Sequence, residues 1–387
     1  MTGIVLSASV RQNLLSLQST AELLSTTQNR LATGNKVNSA LDNPTNFFTA
    51  QGLNNRASDI GNLLDSIGNG VQVLQAANTG LTSLQKLVDT AKSIANQVLQ
   101  TSVGYSAKST VTSAAALGGT AANLVDGVTI KAGQTIIVAA NGLLPAVTVT
   151  IGASESLDQL NAALAAGNLT ASLDSSNKLV ITTTNDFASS TVGAVTVGST
   201  PGTATFGAAV APVADAASQT VRANLVSQYN GIISQITNTA QDASFNGINL
   251  LSGDVLKLTF NETGKSTLSI TGVSYNAAGL GLSSLVSGTD FLDNNSANKA
   301  LTALSAAATS LRTEASALGS NLSIVQIRQD FSKNLINVLQ TGASNLTLAD
   351  TNEEAANSQA LSTRQSIAVS ALALANQSQQ SVLQLLR

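Results

Sequence analysis

The chemistry open to this chain is narrow, because the side chains that do most protein chemistry are missing. Its 387 residues include no His and no Cys. That removes a histidine base, a thiol nucleophile and any His/Cys zinc site. The carboxylates that remain do not assemble into a reaction centre. Glu353-Glu354 stands near the start of a predicted helix, where a solvated or capping pair is expected rather than acid–base work. Asp174, Asp186 and Asp215 lack the spacing of an EF-hand-like calcium loop. Gly68-Asn69-Gly70 has neither the third Gly nor the Lys-Ser/Thr that a phosphate loop needs. No catalytic residue, cofactor or metal is therefore expected. A formal net charge of −3 gives no basic footprint for nucleic acid. What the chain does have is rows of apolar side chains three and four residues apart, and the chemistry of such rows is association.

The elements that must present those rows follow from periodicity and punctuation. Charged residues make up 10% of the chain, against roughly 25% in ordinary soluble domains. A surface this poor in charge suits a chain covered by copies of itself. Residues 1–10 lack a basic stretch ahead of an apolar core, so no cleavable secretory signal is expected. No run of about 18 apolar residues predicts a membrane span.

Of the four prolines, Pro145, Pro201 and Pro212 lie in the middle third, which leaves both flanks free to form long helices. Val10, Leu14, Leu17, Ala21, Leu24, Gln28 and Leu31 make a coiled-coil seam with one polar slot, ended by Gly34. A second helix is predicted over 46–103, carrying Ile60, Leu64, Ile67, Val71, Leu74 and then Leu81, Leu84, Val88, Ala91, Ala95 and Val98. Residues 128–130, 135–139, 146–151 and 179–183 read as strands, 156–164 as a short helix capped by Ser154 or Ser156, and 174–177 as a hairpin turn. Helical spacing returns at Val221 and a hairpin is expected near 255–271. Another seam runs Leu301, Leu304, Ala308, Leu311, Ala315, Leu318, Leu322 and Val325, on a helix continuing to Leu339. The last helix, about 352–386, has Leu361, Arg364, Ala368, Ala371, Ala375, Ser378, Val382 and Leu385 in three/four alternation, with Ile367, Leu372 and Leu374 off that row. A helix apolar on several faces is buried on several faces. The expected fold is mainly α: long antiparallel helices forming nested coiled coils from both termini, a small β-hairpin in the inner shell, and a central α+β or mostly-β insert.

Short motifs add a family resemblance. Arg30 and the run Leu31-Ala32-Thr33-Gly34-Asn35-Lys36-Val37-Asn38-Ser39-Ala40-Leu41-Asp42-Asn43 closely resemble the signature of bacterial flagellins, with Gly34, Asn38, Ser39, Ala40 and Asp42 at its marked positions. Phe245-Asn246-Gly247-Ile248-Asn249-Leu250-Leu251 is similar to the element that precedes a hairpin in that family. Ala349-Asp350 resembles the start of its last helix, and Ser381-Val382-Leu383-Gln384-Leu385-Leu386-Arg387 its C-terminus. The resemblance covers about 1–105 and 218–387. It implies terminal helices at 1–45 and 346–387 lining the inner tube of a helical filament, a helical shell from 46–105 and 218–345, and an outer variable domain at 106–217.

The same resemblance implies a structural, non-enzymatic subunit of the extracellular bacterial flagellum. Its partners would be copies of itself, the flagellar export apparatus and an export chaperone, and the filament cap and hook-junction proteins. The subunit interface would be the two terminal seams: Val10, Leu14, Leu17, Ala21, Leu24 and Leu31 with Leu361, Ala368, Ala371, Ala375, Val382 and Leu385. A hook–filament junction protein shares these helices and is the nearest alternative. The absence of His excludes the zinc-protease insert that some flagellins carry. Many flagellins also bear an Arg-containing stretch on the second helix that an animal toll-like receptor reads. The corresponding run here is Val88-Asp89-Thr90-Ala91-Lys92-Ser93-Ile94, with Thr90 in place of the first Arg. Purified monomer is therefore expected to activate receptor-bearing cells weakly or not at all, and a strong response in a reporter-cell assay contradicts this.

Overall fold

A computed structural model describes residues 8–198 and 205–385. In chain order the elements are α1 (Ala8–Thr33), α2 (Pro44–Gln100), β1 (Tyr105–Ala107), β2 (Thr110–Thr112), β3 (Thr135–Val138), β4 (Val147–Thr150), α3 (Leu157–Leu164), β5 (Leu169–Leu173), β6 (Leu179–Thr183), β7 (Val195–Gly198), β8 (Val213–Ala214), α4 (Ala216–Asp242), β9 (Val255–Thr259), β10 (Thr267–Thr271), α5 (Asn294–Thr347) and α6 (Thr351–Leu385). The fold is mainly helical, with long helices toward both ends and a central insert of small sheets, as the periodicity predicts. Among the described residues no helix is long and apolar enough to cross a membrane.

The helix boundaries follow from local chemistry. Gly34 ends α1 at φ +69°, a conformation that costs a residue with a Cβ. Asn43 caps α2: its Oδ1 accepts the Asn46 N–H at 3.0 Å, and Pro44 occupies the first helical position, where no N–H is needed. α2 thus starts two residues earlier and ends three earlier than predicted.

The chain divides into two compact units. The first comprises residues 1–69, 258–268 and 324–387. Here α1 lies along α6, and Ala57 and Ile60 of α2 pack with Leu339 of α5, with Leu53, Leu335 and Ile336 around them. The tip between β9 and β10 is clamped onto these helices. Arg56 Nε reaches Glu262 Oε1 at 2.7 Å, and the Arg328 guanidinium lies 5.6 Å from the centre of the Phe260 ring.

The second unit comprises residues 70–257 and 269–323. Its helical part buries Leu74, Leu81, Leu84 and Val88 of α2, Leu225, Tyr229, Ile233 and Ile236 of α4, and Leu304, Leu311 and Leu318 of α5. The turn at Phe245–Ile248 has Asn246 and Gly247 both at positive φ, the type I′ geometry that Asn-Gly favours. Asn249 then caps the end of α4, donating its Nδ2 to the carbonyls of Ala240 and Gln241 at 2.8 Å each.

Arg222 of α4 is fully buried and bonded mostly to backbone carbonyls. It donates to Val98 (3.0 Å), Thr101 (3.0 Å) and Ser102 (2.7 Å) at the end of α2, and to Phe291 (2.6 Å) just before α5. The orphan carbonyls of one helix end therefore meet a side chain with five donors and no acceptor.

The insert has two antiparallel sheets, ordered β2-β6-β5 and β4-β3-β7, around Ile136, Val138, Val149, Leu160, Leu164, Leu169, Leu179 and Ile181. Ser156 caps α3 in a capping box with Gln159. Asn161 of α3 bonds both backbone groups of Ala171, which occupies the edge strand β5 and would otherwise be open to pairing. The predicted turn at 174–177 joins β5 to β6, with Asn177 at φ +55°. One predicted strand is absent. Residues 128–130 curl rather than extend, because Asp126 Oδ1 accepts the N–H groups of Val128, Thr129 and Ile130 at 2.8, 2.7 and 3.0 Å. A carboxylate at the head of a β-branched run offers the backbone a local alternative to a sheet ladder.

Two outcomes follow. Arg222→Leu strands several buried carbonyls, so it lowers stability by about 3 kcal/mol or more, read as a fall in the urea midpoint; Arg222→Lys recovers only part of the loss. Burial raises the Asp126 carboxyl, but the N–H bonds from Val128, Ile130, Gly118 and Thr129 outweigh it and bring the pKa from 3.8 down to about 2. A folded-state pKa below the unfolded value gives stability that is present above pH 4 and lost as pH falls toward 2. The melting temperature of the intact chain should drop over that window, and Asp126→Ala should flatten the drop.

Candidate subunit interface at the terminal helices

α1 and α6 run antiparallel, pinned where the end of α1 meets the start of α6. Arg30 Nη1 lies 3.3 Å from Glu354 Oε1. Glu354 is buried, so it is not the solvated residue the sequence suggests; Glu353 beside it is exposed. Asp350 caps α6, its Oδ1 accepting the N–H groups of Asn352 (2.9 Å) and Glu353 (3.3 Å).

Each helix turns one heptad row toward the other. On α1 the row is Val10, Asn13/Leu14, Leu17, Thr20/Ala21, Leu24 and Thr27, with Val10, Thr20 and Thr27 buried and the rest half-buried. On α6 it is Glu354, Ser358, Leu361, Gln365, Ala368, Leu372 and Ala375. Steps of three and four persist throughout, as knobs-into-holes packing needs.

The predicted seam residues divide over this pair. Val10, Leu14, Leu17, Ala21, Leu24, Leu361, Ala368 and Ala375 lie on the inward rows, whereas Leu31 and Ala371 are exposed. The side chains of Val382 and Leu385, and the motif ending at Arg387, lie outside the described residues. Leu372, which periodicity puts off the seam, replaces Ala371 on the inward side. Thr20 and Thr27 are not predicted seam residues, because polar types carry no hydrophobic signal. Thr20 tolerates burial because its hydroxyl donates to the Ser16 carbonyl at 2.8 Å within its own helix.

A second row remains uncovered. Ile367 (63% exposed) and Leu374 (71%) stand seven residues apart on α6 with Ala371 between them, and Leu15 and Leu23 are exposed on α1. Burying each such side chain would gain about 1.5–3 kcal/mol.

The connection between α1 and α2 is a braced loop. Lys36 and Val37 donate their N–H groups to the Thr347 carbonyl at 2.7 and 3.2 Å, and Ala349 donates to the Gly34 carbonyl at 2.9 Å. The two inter-helix connections are thus stitched together. Lys36 Nζ caps the end of α5 at the Asn345 carbonyl, 3.2 Å away. Asp42 Oδ2 accepts from Asn38 N, Ser39 N and Ser39 Oγ at 3.0, 2.8 and 3.1 Å. Asn38 Nδ2 donates to the Asn35 carbonyl at 3.1 Å, and Ala40 is half-buried. Every marked position of the signature but Ala40 therefore closes a hydrogen bond or turns the backbone. The tip of the loop, Leu41, is 96% exposed.

Comparison with known proteins matches this architecture at both ends. Residues 6–128 fit the bacterial flagellin N-terminal helical region, and residues 301–386 the bacterial flagellin C-terminal helical region. The chain belongs to the bacterial flagellin family. Flagellin FljM of Caulobacter vibrioides is 34% identical over 168 residues, and flagellin FljK of the same organism 31% over 165. Each alignment covers 42% of this chain and 59% of the relative. Flagellin A of Rhizobium meliloti is 34% identical over 124 residues, 32% of this chain and 27% of that protein. The flagellin match at the N-terminal end reaches past α2 to residue 128, while 218–300, part of the resemblance read from motifs, lies outside both matched regions.

The bonds from Ser39 N–H, Asn38 N–H and the Ser39 hydroxyl hold the Asp42 carboxyl below its ordinary value of 3.8. The brace is therefore complete above that value and is lost as pH falls through the depressed one. Asp42→Ala should speed amide exchange at Asn38 and Ser39 by about tenfold or more at neutral pH, with helical exchange unchanged; unchanged loop exchange contradicts the brace.

Proposed function

We propose that this chain is the structural subunit of a bacterial flagellar filament, polymerising through the α1–α6 pair. The observation that carries the reading is the uncovered heptad row Ile367, Ala371, Leu374 on a helix whose inward row is already taken. Family membership supports it: the relatives are flagellins by name. The seam residues Val10, Leu14, Leu17, Ala21, Leu24 and Leu31 of α1, with Leu361, Ala368, Ala371, Ala375, Val382 and Leu385 of α6, form or flank the contact. Contacts that join unlike faces do not close on themselves and extend into a helical polymer. The chain performs no catalysis. It is exported unfolded with a chaperone, caps and hook-junction proteins bound its filament, and the assembled polymer serves motility outside the cell. Residues 1–45 with 346–387 form the inner tube, 46–105 with 218–345 the next shell, and 106–217 the exterior.

Purified monomer should yield long filaments in electron micrographs, whereas a chain lacking 365–387 should not. Ile367→Gln with Leu374→Gln removes two exposed side chains and should leave the monomer folded while raising the critical concentration about a hundredfold. Filaments from the truncated chain equal to those of the intact one would sink the terminal-seam reading. Failure of the intact chain to form long filaments favours a hook–filament junction role.

A further inference from the structure

The insert and the helices of the second unit have separate interiors. Among the described residues, the hydrophobic core of the insert is drawn entirely from 111–209, and no residue of α2, α4 or α5 joins it. A thin ribbon, β1 paired with β8, connects the two, and its register breaks between Tyr105 and Ala107. Ser106, Ala107, Val213 and Ala214 are exposed, and Tyr105 is half-buried. An isolated two-stranded ribbon is marginal in water. Bodies joined without a large apolar interface move relative to each other by default. The ribbon therefore tethers the insert without orienting it.

Away from the ribbon, the turn after β6 meets the start of α5. Ser189 Oγ donates to Asp293 Oδ2 at 2.5 Å. Both partners are held from behind. On the insert side, Phe187 packs against the core, Ala188 is fully buried, and Ser190 donates its N–H to the Phe187 carbonyl at 3.0 Å. On the helix side, Asp293 is buried. Its Oδ1 accepts the Asn295 N–H at 3.2 Å, and its carbonyl accepts from Arg222 Nη1 at 3.3 Å. A hydrogen bond from a hydroxyl to a carboxylate is among the strong ones, and low local dielectric strengthens it further.

We propose that Ser189 and Asp293 form a latch that sets the attitude of the insert against the helices, and that opening it frees the insert to swing on the β1–β8 ribbon. Latched, the insert moves as one body with α4 and α5. Released, it keeps its own core and hangs by the ribbon alone. The latch belongs to the single chain, so it stands or falls independently of the filament reading.

The chain has no Cys, so introduced thiols carry the only spin labels. Nitroxides at Leu143→Cys, exposed between β3 and β4, and Ser305→Cys, exposed on α5, should give one narrow distance distribution in the monomer. Adding Ser189→Ala should widen that distribution at least about twofold while circular dichroism stays unchanged. Ser190→Ala lies in the same turn but outside the latch, and it should leave the width as it is. Three results overturn the latch: a broad distribution before Ser189 is touched, no widening with Ser189→Ala, or equal widening with Ser190→Ala.

Discussion

A helix that carries two apolar heptad rows can bury only one of them against a single partner. That constraint governs the first compact unit. α6 spends its inward row on α1 and leaves Ile367 and Leu374 in water, and the end of α5 spends Val325, Ser332 and Leu339 while leaving Ile327, Phe331 and Val338 outside. On the proposed filament reading, apolar area left exposed in this ordered way is the driving force for assembly. Because the hydrophobic effect is non-directional, the heptad spacing has to supply the direction, by admitting a helix in one register and rejecting less regular partners.

Such rows can associate in register only if the helices that bear them enter and leave at defined points. The chain secures those points with short polar devices rather than with bulk. Gly34 reverses the backbone after α1, Asp42 gathers the N–H groups of the loop, Asn43 and Asp350 cap the next helices, and Arg30 meets Glu354 across the pair. In the second unit Arg222 does the same for the end of α2, and Asn249 for the end of α4. Orphan carbonyls and N–H groups are the fixed cost of every helix end, and a chain with so few charged residues places several of them at these ends.

The scarcity of reactive side chains is consistent with that use of the sequence. The polar groups of the site serve the backbone: Asp42, Asn43 and Asp350 each accept main-chain N–H groups. Asp42 and Asp126 are both held below ordinary carboxylate values, chiefly by backbone N–H groups, with the Ser39 hydroxyl and the Arg30 charge adding to the effect at Asp42.

The sequence by itself determined the long helices, the hairpin between β9 and β10 and the strand at 179–183, and narrowed the cap of α3 to Ser154 or Ser156, because each is written in local periodicity or in one residue's own chemistry. It also carried the motif at 31–43, although not what the motif does. Tertiary structure decided which row faces in. Leu372 rather than Ala371 turns toward α1, and Thr20 and Thr27 join the buried row, because a seven-residue repeat fixes the spacing of a row but not its phase when neighbouring rows are comparably apolar. It also decided that Glu354 is buried and that residues 128–130 curl around Asp126. Both outcomes depend on partners, one 324 residues distant in sequence and the other a competing local bond, whose relative strength no pattern of residue types expresses.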